Sequence, residues 1–127
     1  MLRYEKFHES KNKFPNLKET QVGDFKVLIG KDSDSNDYLT TKMADPDDIW
    51  MHAKGVPGSH IVIRVKDNIP DERVIKEVAE LAIKNSKLKG GSGKVVWCKA
   101  KFVKKLPDMK SGQVSVDYKN ANEISIW

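Results

Sequence analysis

One amphipathic segment near the middle of the chain constrains the fold more than any other feature. Between residues 70 and 89, apolar side chains recur at the spacing of an α-helix and form one stripe. The stripe consists of Val74, Val78, Leu81 and Ala82. Pro70 suits the first helical position, and the pair Gly90-Gly91 supplies a left-handed stop. A long helix is therefore predicted here, and it must bury its stripe against the segments on either side.

Those flanking segments have the composition of β-strands, because β-branched and aromatic residues are frequent in them and turn residues separate them. The predicted strands are 24–30, 49–53, 60–65, 94–103, 113–117 and 123–127. A short helix is predicted over 36–43, with Ser35 or Asn36 as its cap. The pattern predicts an α+β fold, in which one long and one short helix pack on one face of a mixed, mostly antiparallel sheet.

The N-terminal part of the chain lacks this patterning. Residues 8–22 are polar and show no clear period, so residues 1–23 are interpreted as a lead-in loop and residues 24–127 as one domain. A chain of 127 residues can form one hydrophobic core without disulfides or a structural metal. It has a single cysteine, Cys98, which excludes an intramolecular disulfide. The charged N-terminus and the lack of a long apolar run predict a cytoplasmic protein with no membrane partner.

Charge is distributed unevenly along the chain, whose formal net charge is +5. Residues 84–110 contain nine lysines and one acidic residue, whereas residues 31–48 contain two lysines and six aspartates. A segment as basic as the first suits a polyanionic ligand.

The most unusual composition lies between residues 45 and 60. In a strand, Asp48, Trp50 and His52 share one face, and a loop rich in glycine and proline then leads to His60. Trp50 offers a stacking surface, and the two histidines offer donors to phosphate or base. The alternative is a structural turn, with Trp50 in the core and the histidines bonded to backbone groups.

The loop itself contains Gly58 and Ser59, and its backbone amides could form a nest for an anion. Gly58 would let the backbone approach a phosphate or a base closely. Metal binding and acid–base catalysis are two further hypotheses for this segment, and they would use His52, His60 and Asp48. Neither the spacing of a known metal motif nor a nucleophile or nucleotide-binding motif accompanies them, so no metal, no cofactor and no enzymatic activity are expected.

A second basic constellation follows the long helix. Lys99 and Lys101 share one face of a predicted strand, and Lys104 and Lys105 occupy its end. A lysine face beside aromatic residues suits contact with a nucleic-acid backbone. The alternative is an edge strand that lysines protect from aggregation.

Taken in order, several of these motifs resemble the RNA-binding domain of the NFACT family of ribosome quality-control proteins. They are Leu28-Ile29-Gly30-Lys31-Asp32, Asn36-Asp37-Tyr38-Leu39, Asp48-Ile49-Trp50-Met51-His52-Ala53 and Gly55-Val56-Pro57-Gly58-Ser59-His60. The resemblance covers roughly residues 24–127. It implies binding of RNA, either tRNA or ribosomal RNA, with the large ribosomal subunit as a further partner and DNA as a second candidate ligand.

The resemblance also favours a functional role for the residues singled out above. The expected nucleic-acid-binding residues are Lys31, Asn36, Trp50, His52, Gly58, Ser59, His60, Lys99, Lys101, Lys104 and Lys105. Two other hypotheses remain open at this point. One is a hydrolase or nuclease-like enzyme that uses Asp48, His52 and His60. The other is an adaptor whose acidic segment, residues 31–48, docks on a basic ribosomal protein.

The histidine spacing generates the first testable prediction. Folding and RNA binding should both survive excess chelator, because only two histidines are clustered and no thiolate accompanies them. Circular dichroism and RNA anisotropy, each measured with and without chelator, check this. Loss of binding that Zn²⁺ or Fe²⁺ restores would instead support the enzyme hypothesis.

Overall fold

The computed structural model describes residues 14–88 and 91–127, which form a six-stranded sheet, a two-stranded sheet and two α-helices. The elements in chain order are β1 (Leu17–Val22), β2 (Phe25–Gly30), α1 (Ser33–Tyr38, continued by a π-helical turn over Leu39–Met43), β3 (Ile49–Ala53), β4 (Ile61–Ile63), α2 (Glu72–Lys84), β5 (Gly93–Lys99), β6 (Val103–Lys104), β7 (Ser115–Val116) and β8 (Asn122–Ile126). Neither helix in this part of the chain has the length and apolar character needed to span a membrane.

The larger sheet has the strand order β1-β2-β4-β3-β5-β8, and its neighbouring strands are antiparallel. Because β4 and β5 both pair with β3, they run parallel to each other on its two sides. Helix α2 carries the chain from β4 across β3 to β5. The predicted α+β fold with a mostly antiparallel sheet is therefore confirmed, and the long helix is the crossover between two parallel strands that do not touch.

Alternate side chains of β3 divide the core in two. Ile49, Met51 and Ala53 point towards α2 and are buried against its apolar stripe. The stripe that is buried consists of Val74, Ile75, Val78, Ala79, Ala82 and Ile83, whereas Leu81 is only partly buried. Each fully buried valine or isoleucine contributes about 1.5–3 kcal/mol of hydrophobic free energy. This contact holds the long helix on the sheet.

The opposite face of the same strands carries a second core. Trp50 lies there with Leu28, Val62 and Cys98, and Leu39 from the turn after α1 covers them. The two helices consequently pack on opposite faces, and the prediction that both share one face is wrong. The reason is that β2 and β4 are apolar at every central position, which requires cover on both sides.

The prediction of a loop over residues 8–22 is wrong for Leu17–Val22. This segment is β1, an edge strand that pairs with β2 along its whole length through a turn at Gly23, where φ is +59°. Its side chains are mostly polar because an edge strand at this position buries little besides Val22. Residues 1–13 lie outside the described residues.

Both helices begin at an aspartate cap. Asp71 Oδ1 accepts a hydrogen bond from Val74 N at 3.1 Å, so α2 begins at Glu72 and the predicted first residue, Pro70, precedes the cap. Asp32 caps α1 in the same way, which moves the start of the short helix before the predicted residue 36. Helix α2 ends at Lys84 with Asn85 as its C-cap, so the prediction that it continues to residue 89 is wrong. Of the predicted glycine stop, Gly90 lies outside the described residues and Gly91 does not have a positive φ.

The buried carboxylate of Asp48 joins the start of β3 to the end of β4. Its Oδ1 accepts from Val65 N at 2.8 Å, and its Oδ2 accepts from Asp45 N at 2.9 Å and from Arg64 Nη1 at 3.0 Å. Arg64 also donates to Met43 O at 2.7 Å, which brings in the turn after α1. Asp48 is therefore a structural hub that satisfies several backbone and side-chain donors at once.

Removing this hub should destabilise the fold strongly. Asp48→Ala leaves the backbone amides of Asp45 and Val65 without their acceptor and removes the buried carboxylate that pairs with Arg64, so we expect a loss of about 3 kcal/mol. The thermal midpoint should fall by about 10 °C. Asp45→Ala is the matched control, because Asp45 is exposed and its carboxylate lies 3.6 Å from the same arginine. Equal midpoints for the two variants would contradict the hub.

Candidate nucleic-acid interface

The loop between β3 and β4 is fixed against the C-terminal end of α2. Gly58 and Ser86 form an isolated antiparallel bridge. Ser59 N donates to Asn85 O at 3.0 Å, and Lys87 N donates to Pro57 O at 3.0 Å. A Cβ at Gly58 would lie 2.8 Å from Ser86 Cβ, so the close approach requires glycine. Gly58 thus approaches the protein's own helix end, whereas the sequence suggested a phosphate or a base.

An open groove of about 490 Å³ runs beside this contact. Lys31 enters it from the end of β2, and its Nζ donates to Asn85 Oδ1 at 3.3 Å. The groove is lined by Lys31, Asp32, Ser33, Asn36, Pro57, Gly58, Ser59, Asn85, Ser86 and Lys87. Lys31 and Lys87 are exposed, so their ammonium groups are accessible to an anion. We call this surface the lysine groove.

The lysine groove brings together four of the predicted site residues, namely Lys31, Asn36, Gly58 and Ser59. It adds Asn85, Ser86 and Lys87, which the sequence did not single out as a site. Their signal in the sequence is weak, because a polar segment after a helix is common and only the bridge to Gly58 brings it to the loop.

Asn36 lies at the floor of the groove and is mostly buried. Its Oδ1 accepts from His60 N at 3.0 Å, and a Cβ at Gly30 would lie 2.0 Å from the same atom. The side chain of Asn36 therefore accepts a backbone hydrogen bond within the protein, and residue 30 must be glycine because a larger residue would collide with that side chain.

The predicted stacking role of Trp50 is not compatible with its position. The indole is 2% exposed, and its Nε1 donates to Thr40 Oγ1 at 3.1 Å. The same hydroxyl forms a hydrogen bond of 2.8 Å with His60 Nδ1. His60 is itself 2% exposed, so its ring is not placed at the surface where the sequence suggested a donor to phosphate or base. A base cannot reach either ring without unfolding this core.

His52 completes this aromatic group but keeps part of its ring at the surface. Its centroid lies 6.0 Å from that of Trp50, in a stacked arrangement, and 5.4 Å from that of His60, edge to face. Burial lowers the pKa of His52, and a backbone hydrogen bond with Gly58 partly opposes that change. The neutral ring of His52 therefore borders the loop and can exchange hydrogen bonds there, but it carries no charge at pH 7.

The second predicted basic cluster lies at the other end of β3. Lys99 pairs with Ile49 in the sheet, whereas the loop with Gly58 follows the far end of the strand. The predicted strand 94–103 ends at Lys99, and Lys101 lies in a short 3-10 turn. Lys99 and Lys101 approach the same carboxylate, Asp47, at 3.6 and 3.7 Å. These lysines are thus separated from the lysine groove and partly neutralised.

Lys105 has a structural role that the sequence did not predict. Its ammonium lies 3.1 Å from Asp37 Oδ2, donates to Gln113 O at 2.8 Å, and also donates to Lys110 O. An ammonium group has three N–H donors, and these contacts use them all. Lys105 therefore closes the loop between β6 and β7 over α1 and is not available to a phosphate. Lys104, by contrast, is exposed.

Comparison with known proteins identifies the family. A family model described as the NFACT protein RNA binding domain matches residues 13–118. The chain belongs to this family. It is 46% identical over 92 residues to the Rqc2 homolog RqcH of Bacillus subtilis, a match that covers 72% of this chain and 16% of that protein.

Two further matches extend the comparison. The archaeal Rqc2 homolog aRqcH of Methanocaldococcus jannaschii is 29% identical over 103 residues, which covers 79% of this chain and 15% of that protein. The solved C-terminal part of the fibronectin/fibrinogen-binding protein from Streptococcus suis superposes with a TM-score of 0.78 at 33% identity, over 91% of this chain and 45% of that one. This NFACT RNA-binding domain thus spans about one sixth of the length of the two Rqc2 homologs.

The geometry of the NFACT domain does not support the alternative enzyme hypothesis. The oxygens of Asp48 accept from Val65, Asp45 and Arg64, so this carboxylate does not orient His52 or His60. Within residues 14–88 and 91–127, no group of three or more His, Cys, Asp or Glu side chains could hold a metal ion.

The adaptor hypothesis loses support because the aspartates of residues 31–48 are largely committed within the domain. Asp32 caps α1, and a hydrogen bond with Ser35 lowers its pKa. Asp48 is buried, Asp37 accepts from Gly112 N at 3.0 Å, and Asp47 faces two lysines. The acidic segment therefore does not form a free acidic surface.

The buried histidine generates a prediction on pH. Burial and, to a smaller extent, the neighbouring His52 lower the pKa of His60 from 6.5 to about 4, against the opposing effects of Asp37 and of backbone hydrogen bonds. The unfolded chain therefore binds the extra proton first, and stability should fall as pH drops from about 6.5 to about 4, by about 3 kcal/mol in total. Urea unfolding of the wild type and His60→Gln across this window checks it. Equal pH slopes for the two proteins would contradict the assignment.

Proposed function

We propose that this domain binds RNA through the lysine groove, as a non-catalytic module in ribosome quality control. The observation that carries the proposal is the pair of exposed lysines, Lys31 and Lys87, on a groove whose walls are held together by the Gly58–Ser86 bridge. Membership in the NFACT RNA-binding domain family and similarity to Rqc2 homologs support the same ligand class.

The chemistry of the groove suits a sugar-phosphate backbone. Lysine ammonium groups act as point charges for phosphate, and neutralising phosphates releases counterions. Asn85 already orients Lys31 through its Oδ1, which lowers the conformational cost of binding. Ser59 offers a hydroxyl beside these charges, and contacts with the ribose 2′-hydroxyl distinguish RNA from DNA. We therefore expect a preference for RNA, with DNA bound through phosphate contacts alone.

His52 borders the loop and supplies the remaining contact in this proposal. Its neutral ring can donate or accept one hydrogen bond, so its role is to recognise a base or sugar and not to attract phosphate. The buried rings of Trp50 and His60 pack against the ring of His52 and so hold His52 and the loop in place. The RNA itself is proposed to be tRNA or ribosomal RNA, and parallel titrations with the two species distinguish them.

The charges of the groove generate a prediction on salt. Replacing Lys31 and Lys87 together by alanine should reduce the slope of log affinity against log salt by about 1.4–1.8, because each phosphate contact contributes about 0.7–0.9. Fluorescence anisotropy with labelled tRNA, from low to physiological salt, measures the slope.

The control is Lys18→Ala paired with Lys76→Ala, which removes the same charge from β1 and from the outer side of α2. Thermal midpoints should stay unchanged for both double variants, since all four side chains are exposed. An equal loss of slope in both would mean that only net charge matters, and the lysine groove would then not be the RNA site.

A further inference from the structure

A second groove lies at the other end of the molecule, beside the short strand β6. Its floor is formed by aliphatic carbon from Ala44, Pro46, Val103 and Leu106, and Thr40 and Thr41 close one side. Leu106 is 43% exposed and Pro46 is exposed as well, whereas Val103 is buried. We call this surface the β6 groove. It shares no residue with the lysine groove.

The backbone of β6 faces this groove with its hydrogen-bonding edge. Val103 pairs with Val116 and Lys104 with Ser115, and Asp117 N donates to Phe102 O at 2.9 Å. In an antiparallel ladder alternate residues direct their backbone groups to opposite sides. The backbone N–H and C=O groups of Phe102 and Lys104 point towards β7. The backbone oxygen of Val103 and the backbone N–H of Lys105 therefore point away from β7. The groove therefore contains a strand edge that could accept one more strand.

The rim of the β6 groove is positively charged. Lys104 is exposed, and Lys101 has only the exposed Asp47, at 3.7 Å, as its acidic neighbour among the described residues. The third lysine of the lining, Lys105, is held by the loop and adds positive potential without moving. Lys104 has no ion pair among the described residues, so positive charge remains on the rim beside the apolar floor. Such a surface attracts a ligand that combines negative charge with apolar side chains.

We propose that the β6 groove binds an extended acidic segment of a partner protein, which pairs with β6 as an added strand. Side chains of a strand alternate between two faces, so every second residue of the partner would rest on Val103 and Leu106 and the others would meet Lys101 and Lys104. A peptide backbone satisfies Val103 O and Lys105 N, whereas a nucleic acid would meet an aliphatic floor that offers no ring on which to stack its bases.

The test uses the whole chain and a short fluorescent peptide that alternates glutamate with valine. Two matched peptides accompany it, one with lysine in place of glutamate and one with alternate backbone amides methylated. The acidic peptide should bind and shift the amide resonances of Val103 and Lys105, and both matched peptides should fail. Lys104→Glu should weaken the acidic peptide about tenfold, whereas Lys18→Glu, on the far edge strand, should leave it unchanged.

Several results would overturn the proposal. Equal binding of the methylated peptide would show that no strand is added, and equal binding of the basic peptide would show that the lysines do not select the ligand. Displacement of the peptide by tRNA, together with weaker tRNA binding by Lys104→Glu, would assign the groove to RNA. Removal of Lys31 and Lys87 should leave peptide affinity intact, so failure of the RNA proposal and failure of this one are separable.

Discussion

Burial of both faces of the central strands is the constraint on which the rest of the structure depends. Alternate residues of β3 enter two different cores, so each polar group on the strand needs a partner inside the protein. Thr40 supplies that partner to Trp50 and His60 together, through one hydroxyl. The residues that looked most like a recognition motif thus form a supporting layer, and the site that we propose lies on the loop and helix end above them.

This constraint explains which parts of the fold were predictable. The helix α2 and the strand β3 follow from the period of their apolar residues, because packing is the force that orders them. The edge strand β1 was missed, since its pairing comes from the backbone and its side chains remain polar. The second core was also missed. An apolar run such as 61–63 indicates burial on both faces, but it does not say which elements provide the cover.

The candidate site was predictable to the extent that its residues are close in sequence. Ser59 follows Gly58, and both belong to a conspicuous loop, whereas Asn85 and Lys87 reach that loop only through tertiary contact. Lys105 was predicted to contact nucleic acid because lysines are dense in its segment. The density of lysines does not show that carbonyl groups and the carboxylate of Asp37 occupy its ammonium group. Charge becomes a binding surface only where the fold leaves it unpaired.

The lysines at the two ends of the molecule form separate clusters. The basic residues 84–110 read as one patch in the sequence, yet β5 carries the chain away from the lysine groove and delivers Lys99 at the other end. Six residue steps along a strand span about 20 Å, which is well beyond the Debye length of about 8 Å at physiological salt. Charges at one end are therefore screened from a ligand at the other. The two proposed sites therefore select their ligands independently, each by what surrounds its lysines. At one end a rigid polar loop borders them, and at the other end a strand edge lies over an apolar floor.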